Sequence, residues 1–253
     1  MKRWIGVFAL AAVAVLAVGC DDGIGDQEVI DEGALRADAA LVAVDAVFED
    51  LALMQDPPVL ALPAGSPDLA GSEAPGNVTF SRQVTFYDED GVEQERYDPL
   101  LTASIKVEWD LSRSVEHAFW SASVQRQREM MVTGLLGMES ERTWNGTGGG
   151  VVARSRHPEE GIARTYDMSS EISIDAVVRG VPRSEHPYPL SGSITRHMKV
   201  VVTKDGQVVA ERDVTAVTTF NGTQFATVKV GPDSWEVDLS QGRVRGIFKK
   251  KTG

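Results

Sequence analysis

The chain is poor in cysteine: Cys20 is the only one in 253 residues. No internal disulfide can therefore staple the fold, and any core must hold by packing and hydrogen bonds. The four histidines, His117, His157, His186 and His197, form no H-x-x-H or H-E-x-x-H pattern, which excludes a helical zinc site of that kind. No G-x-S-x-G elbow exposes a nucleophilic serine. Basic charge is also scarce, with 25 basic against 37 acidic residues and a net formal charge of −12, a balance that disfavours nucleic acid as a partner. The glycine run Gly146, Gly148, Gly149, Gly150 lacks the Lys-Ser/Thr ending of a phosphate-binding loop and reads as the tip of a hairpin. After Cys20 no stretch approaches the roughly 20 apolar residues that a spanning helix needs.

What is present is concentrated first at the start. Lys2 and Arg3 precede an uncharged run from Trp4 to Val18, followed by Gly19 and Cys20. Charged, apolar and small residues in that order make a secretory signal. Leu16, Ala17, Val18, Gly19 and Cys20 resemble the lipobox of bacterial lipoprotein precursors, with Ala17 and Val18 departing mildly from the commonest pattern. The resemblance implies acylation of Cys20 and cleavage after Gly19. It thereby implies a lipid-anchored location in a bacterial cell envelope, on the periplasmic side of the inner or outer membrane. In enterobacterial lipoproteins an aspartate directly after the acylated cysteine resembles an inner-membrane retention signal, and Asp21 and Asp22 follow here. Acyl chains contribute about 0.8 kcal/mol per buried CH₂, so several on one residue hold a folded domain at a membrane.

The acidity is local: eleven acidic residues and one arginine lie between Cys20 and Pro58. From Asp26 to Met54, Ile30, Ala34, Leu41, Val44, Phe48 and Leu51 recur at helical intervals, with Asp31, Asp38, Asp45, Glu49 and Asp50 mostly off that stripe. The pattern predicts an amphipathic helix. Proline and small residues from Pro57 to Gly76 then predict a linker. Beyond it the period becomes two, most cleanly where Leu101, Ala103, Ile105, Val107, Trp109 and Leu111 alternate with polar residues. Such alternation predicts roughly nine to eleven strands. Asp90-Gly91, Asn145-Gly146, Asp205-Gly206 and Asn221-Gly222 suit tight hairpins between them.

The expected fold is therefore mainly β: a large curved antiparallel meander with the N-terminal helix packed on its concave face. The organisation reads as a signal over 1–19, an acylated cysteine and acidic helix over 20–56, a linker over 57–77, a β domain over 78–248 and a basic tail over 249–253. Two stretch pairs, 84–96 with 200–212 and 143–153 with 219–229, are alike enough to suggest a degenerate duplication.

Two constellations could carry chemistry. In the strand through Trp120, Ala122 and Val124, the inward phase meets Arg126 and Arg128 before resuming at Met130 and Val132. A regular strand would aim both guanidinium groups at the covered face, where they need carboxylate partners or an acidic ligand. A bulge that shifts the phase is the simpler expectation. His157 with Glu159 and Glu160, meeting His186 in space, is the best metal arrangement the residues allow, and exposed loop histidines are the default beside it. No catalytic residue, metal or cofactor is assigned. The expected role is a non-enzymatic binding or structural one at the membrane, the partner being an envelope protein or a lipid. A carrier of lipids in a half-barrel and an envelope hydrolase or metal enzyme are the alternatives.

Overall fold

The computed structural model describes residues 32–62, 77–117, 120–137, 139–156, 164–241 and 248–250. Cys20, the signal and the lipobox lie outside them, as do most of the linker and the residues His157, Glu159 and Glu160. A helix α1 (Glu32–Leu53) and a short helix α2 (Pro57–Leu60) precede eleven strands. The strands are β1 (Asn77–Tyr87), β2 (Glu93–Gln94), β3 (Ser104–His117), β4 (Trp120–Thr133), β5 (Glu141–Arg156), β6 (Arg164–Gly180), β7 (Pro189–Lys204), β8 (Gln207–Thr219), β9 (Phe225–Val230), β10 (Asp233–Asp238) and β11 (Phe248–Lys250). They form one antiparallel sheet in the order β11-β10-β9-β8-β7-β6-β5-β4-β3-β1-β2, a meander from β3 onward. Among the described residues no helix is long and apolar enough to cross a membrane.

Period-two alternation places Ile105, Val107, Trp109 and Leu111 of β3 on the covered face, all buried. Their partners across β4 are Val132, Met130, Arg128 and Arg126 in unbroken register. Leu53 and Leu60 from the helices, Met54 between them, and Trp144, Ile174 and Ile194 from β5 to β7 join Ile105, Val107, Trp109, Leu111, Met130 and Val132 in the main core. Asp205-Gly206 closes the β7–β8 hairpin with both residues at positive φ, +48° and +77°, the conformation that Asp-Gly tolerates.

The helix is buried differently from the expected stripe. Leu41 is 42 % exposed and Phe48 only half-buried, whereas Ala39, Ala43, Ala46, Val47, Glu49 and Asp50 are buried. At 100° per residue the buried positions cover about 220° of the circumference, more than a flat sheet could cover. The sheet must therefore curve around α1. Val44 and Leu51 of the expected stripe are buried, but the buried face is wider than that stripe because it also takes in small alanines and carboxylates that find partners across the chain.

Four local expectations change as well. The glycine run is no hairpin tip: Gly146 to Gly150 lie inside the long strand β5. Asn145-Gly146 is likewise not a turn but a bulge in that strand, where Asn145 Oδ1 accepts a hydrogen bond from Ala176 N at 2.8 Å. Residues 143–153 are thus one continuous strand while 219–229 span a turn, so that half of the proposed repeat has no structural counterpart. At the other end, Lys249 and Lys250, read as tail, pair with Glu236 and Trp235 in β11.

Candidate functional site: a buried arginine layer beneath a cavity

Strand β4 is regular against both neighbours, so Arg126 and Arg128 do point at the covered face. Room for them comes from β5. Register sets Arg126 opposite Gly150 and Arg128 opposite Gly148. A Cβ on Gly148 would lie 2.6 Å from Arg128 Cδ and 2.3 Å from Gln127 O, so only glycine lets the guanidinium lie across the strand. Arg128 then stacks over Trp109, 5.1 Å from the ring centroid, and donates from Nη1 to Gln127 O and Gly149 O at 2.7 and 2.8 Å.

The carboxylates come from α1. Arg126 Nη1 donates to Glu49 Oε2, the two side chains being 4 % and 1 % exposed. Arg128 Nε donates to Asp50 Oδ1 at 2.9 Å, and Arg196 Nη2 from β7 donates to Asp50 Oδ2 at 3.2 Å. One carboxylate thus ties two strands that stand three places apart in the sheet. Arg179 of β6 donates to Leu51 O at 3.4 Å and Pro187 O at 3.1 Å, a cation at the carbonyl end of the helix. Burial pushes both Arg196 and Arg179 down to about 10; Asp50 opposes the shift at Arg196, and Arg183 adds to it at Arg179. Arg128 Nη2 and Arg196 Nε are buried without a hydrogen-bond partner.

Further ion pairs seat the start of the helix, Glu32 with Arg212 at 2.7 Å and Arg36 with Asp233 at 2.6 Å, and Asp56, just before α2, pairs with Arg142. The result is a sequence of zones along the strands. Trp109, Arg128, Gly148, Ile172 and Arg196 share one register row, and the apolar core lies to one side of it. On the other side a cavity of about 670 Å³ separates α1 from the sheet. Its apolar walls include Val115, Ala122, Val124, Val152 and Met168, with Tyr166 beside them. Asp38 and Asp45 of α1, and Arg113, Arg126 and Arg154 of the strands, supply its charges. Arg154 meets Asp45 at 3.5 Å, and burial raises the Asp38 carboxyl above its ordinary value against the pull of Arg154.

Arg126 belongs to both the buried layer and the cavity wall, whereas Arg128 lies deeper, its side chain fully buried. His186 is exposed, its ring over Gly180. Among the described residues no group of three or more His, Cys, Asp or Glu side chains could hold a metal ion. Sequence reading missed Arg196, Glu49 and Asp50; the signal available for Arg196 was its inward phase between Ile194 and Met198, the same anomaly as in β4. No protein-family model, curated protein or solved structure matches this chain.

Proposed function

We propose that the chain is a bacterial envelope lipoprotein, anchored through acyl chains on Cys20, whose sheet-and-helix domain binds an amphiphile without chemical turnover. The anchor rests on the lipobox-like residues Leu16 to Cys20. The binding role rests on one observation, the cavity between α1 and the sheet. Its volume falls within the ~300–1,000 Å³ typical of small-molecule sites, and its lining sets five apolar side chains beside five charged ones, the mixture an amphiphile requires. A purely structural domain would gain stability by filling that space, since voids forgo packing contacts.

Purification of the full chain from its own host, followed by native mass spectrometry and organic extraction, tests both parts. An N-terminal peptide starting at Cys20 with acyl mass added, and a stoichiometric noncovalent lipid on the intact protein, are expected. An unmodified cysteine would remove the anchor, and a clean ligand-free mass would turn the search toward protein partners.

A further inference from the structure

We infer that the ligand of this cavity is a single-chain amphiphile ending in a compact anion, a carboxylate or a phosphate, seated head-inward against the arginine layer. The inference rests on the amphiphile-binding reading above and adds the polarity of the ligand and the direction in which it lies.

The charge balance of the interior supports it. In the buried layer, Arg126, Arg128 and Arg196 stand against Glu49 and Asp50, which leaves one cation in excess among the described residues. The cavity walls do not redress this, because Arg113 and Arg154 are matched in number by Asp38 and Asp45. A buried charge without its counter-charge costs several kcal/mol, so a site of this composition gains from an entering anion. The two guanidinium nitrogens without partners, Arg128 Nη2 and Arg196 Nε, belong to this layer but not to the cavity lining, so an anion at Arg126 would act on them through its field and not by contact.

Position and size point the same way. Arg126 is the residue of the layer that also lines the cavity. A guanidinium binds carboxylate and phosphate oxygens alike, through charge-assisted hydrogen bonds about twice as strong as neutral ones. Next to Arg126 the wall is the row Val124, Val152 and Met168, with Arg113 at its edge, and beyond it come Val115, Ala122 and Tyr166 beside Arg154, so that apolar surface for a chain starts directly at the arginine. At about 30 Å³ per heavy group, the share a water takes in the liquid, the cavity holds about 20 such groups. That is the size of one acyl chain with its head, and well short of a two-chain lipid.

The test uses the full chain, stripped of copurifying lipid, with four probes of equal chain length below their micelle concentrations: palmitate, cetyl phosphate, cetyl alcohol and cetyltrimethylammonium. Calorimetric titration should give the anions at least about 10-fold tighter binding than the alcohol, and the cation the weakest. Comparison of palmitate with cetyl phosphate separates the two head chemistries. Glu49→Gln increases the excess positive charge of the layer and should tighten binding of the anions several-fold relative to the alcohol. Arg126→Gln should erase the anion preference. Equal binding of all four probes, or preference for the cation, would overturn the assignment of an anionic head while leaving an amphiphile site standing. Failure of every probe to bind would overturn both. Should either variant unfold, the wild-type panel alone decides.

Discussion

Asp50 of α1 and Arg128 of β4 meet at 2.9 Å with neither side chain exposed to solvent, 78 residues apart in the chain. The carboxylate also takes Arg196, so its loss would strand two guanidinium groups in the interior. Asp50→Ala is expected to cost about 3–5 kcal/mol in urea unfolding. Exchanging the whole set, Asp50→Leu with Arg128→Met and Arg196→Leu, should bring stability back to within about 1 kcal/mol of wild type or above it, because desolvation of the ions offsets much of their attraction. A triple variant as unstable as the single one would show that the ion pairs themselves hold α1 in place.

Neighbouring glycines of β5 should respond in opposite ways. Gly148→Ala drives a Cβ to 2.3 Å from a backbone oxygen and into Arg128, and is expected to lose about 1–3 kcal/mol. Gly149 faces the other side, where the nearest atom to a new Cβ is at 3.4 Å, and Gly149→Ala should be neutral or stabilise by up to about 1 kcal/mol. Thermal melts of the two variants side by side check the direction in which each residue points.

Asp38 gives a pH signature. Its carboxyl is raised above 3.8 in the folded chain by burial, so its ionisation opposes folding: that contribution to stability is present below the unfolded pKa and lost as pH rises through the folded one. Asp38→Asn should melt about 1 °C higher at pH 7, a small gain because the group is half in solvent, and should match wild type below about pH 3.8. A variant less stable than wild type at pH 7 would mean that the Arg154 attraction outweighs burial.

If Cys20 carries the anchor, Cys20→Ser moves the protein from the membrane to the soluble fraction without changing its melting temperature. Fractionation with immunodetection reads this directly, and an unchanged membrane fraction would refute acylation at that residue.

The strands were legible because Ile105, Val107, Trp109 and Leu111 alternate with polar residues, a local signal that survives into the sheet. Asp205-Gly206 was legible for the same reason, since turn chemistry is contained in two residues. The partners of Arg126 and Arg128 were not, because the carboxylates that decide their orientation sit at Glu49 and Asp50, and only tertiary curvature brings α1 against β4 and β7. Without those partners a phase-shifting bulge is the cheaper reading of two arginines in an apolar row, and the observed strand has none. The glycines of β5 were misread for a similar reason. Their use becomes visible only once the arginines beside them are known to lie inward.

The zones along the strands separate two demands on one polypeptide. Val107, Met130, Trp144 and Ile174, below the arginine layer, carry the foundations of the domain, while Val115, Ala122, Val124 and Val152, above it, line the cavity. Exchanges among the upper residues can retune what fits inside without disturbing the lower ones. On the binding role proposed above, a lineage built on this plan is free to change cargo while keeping its chassis.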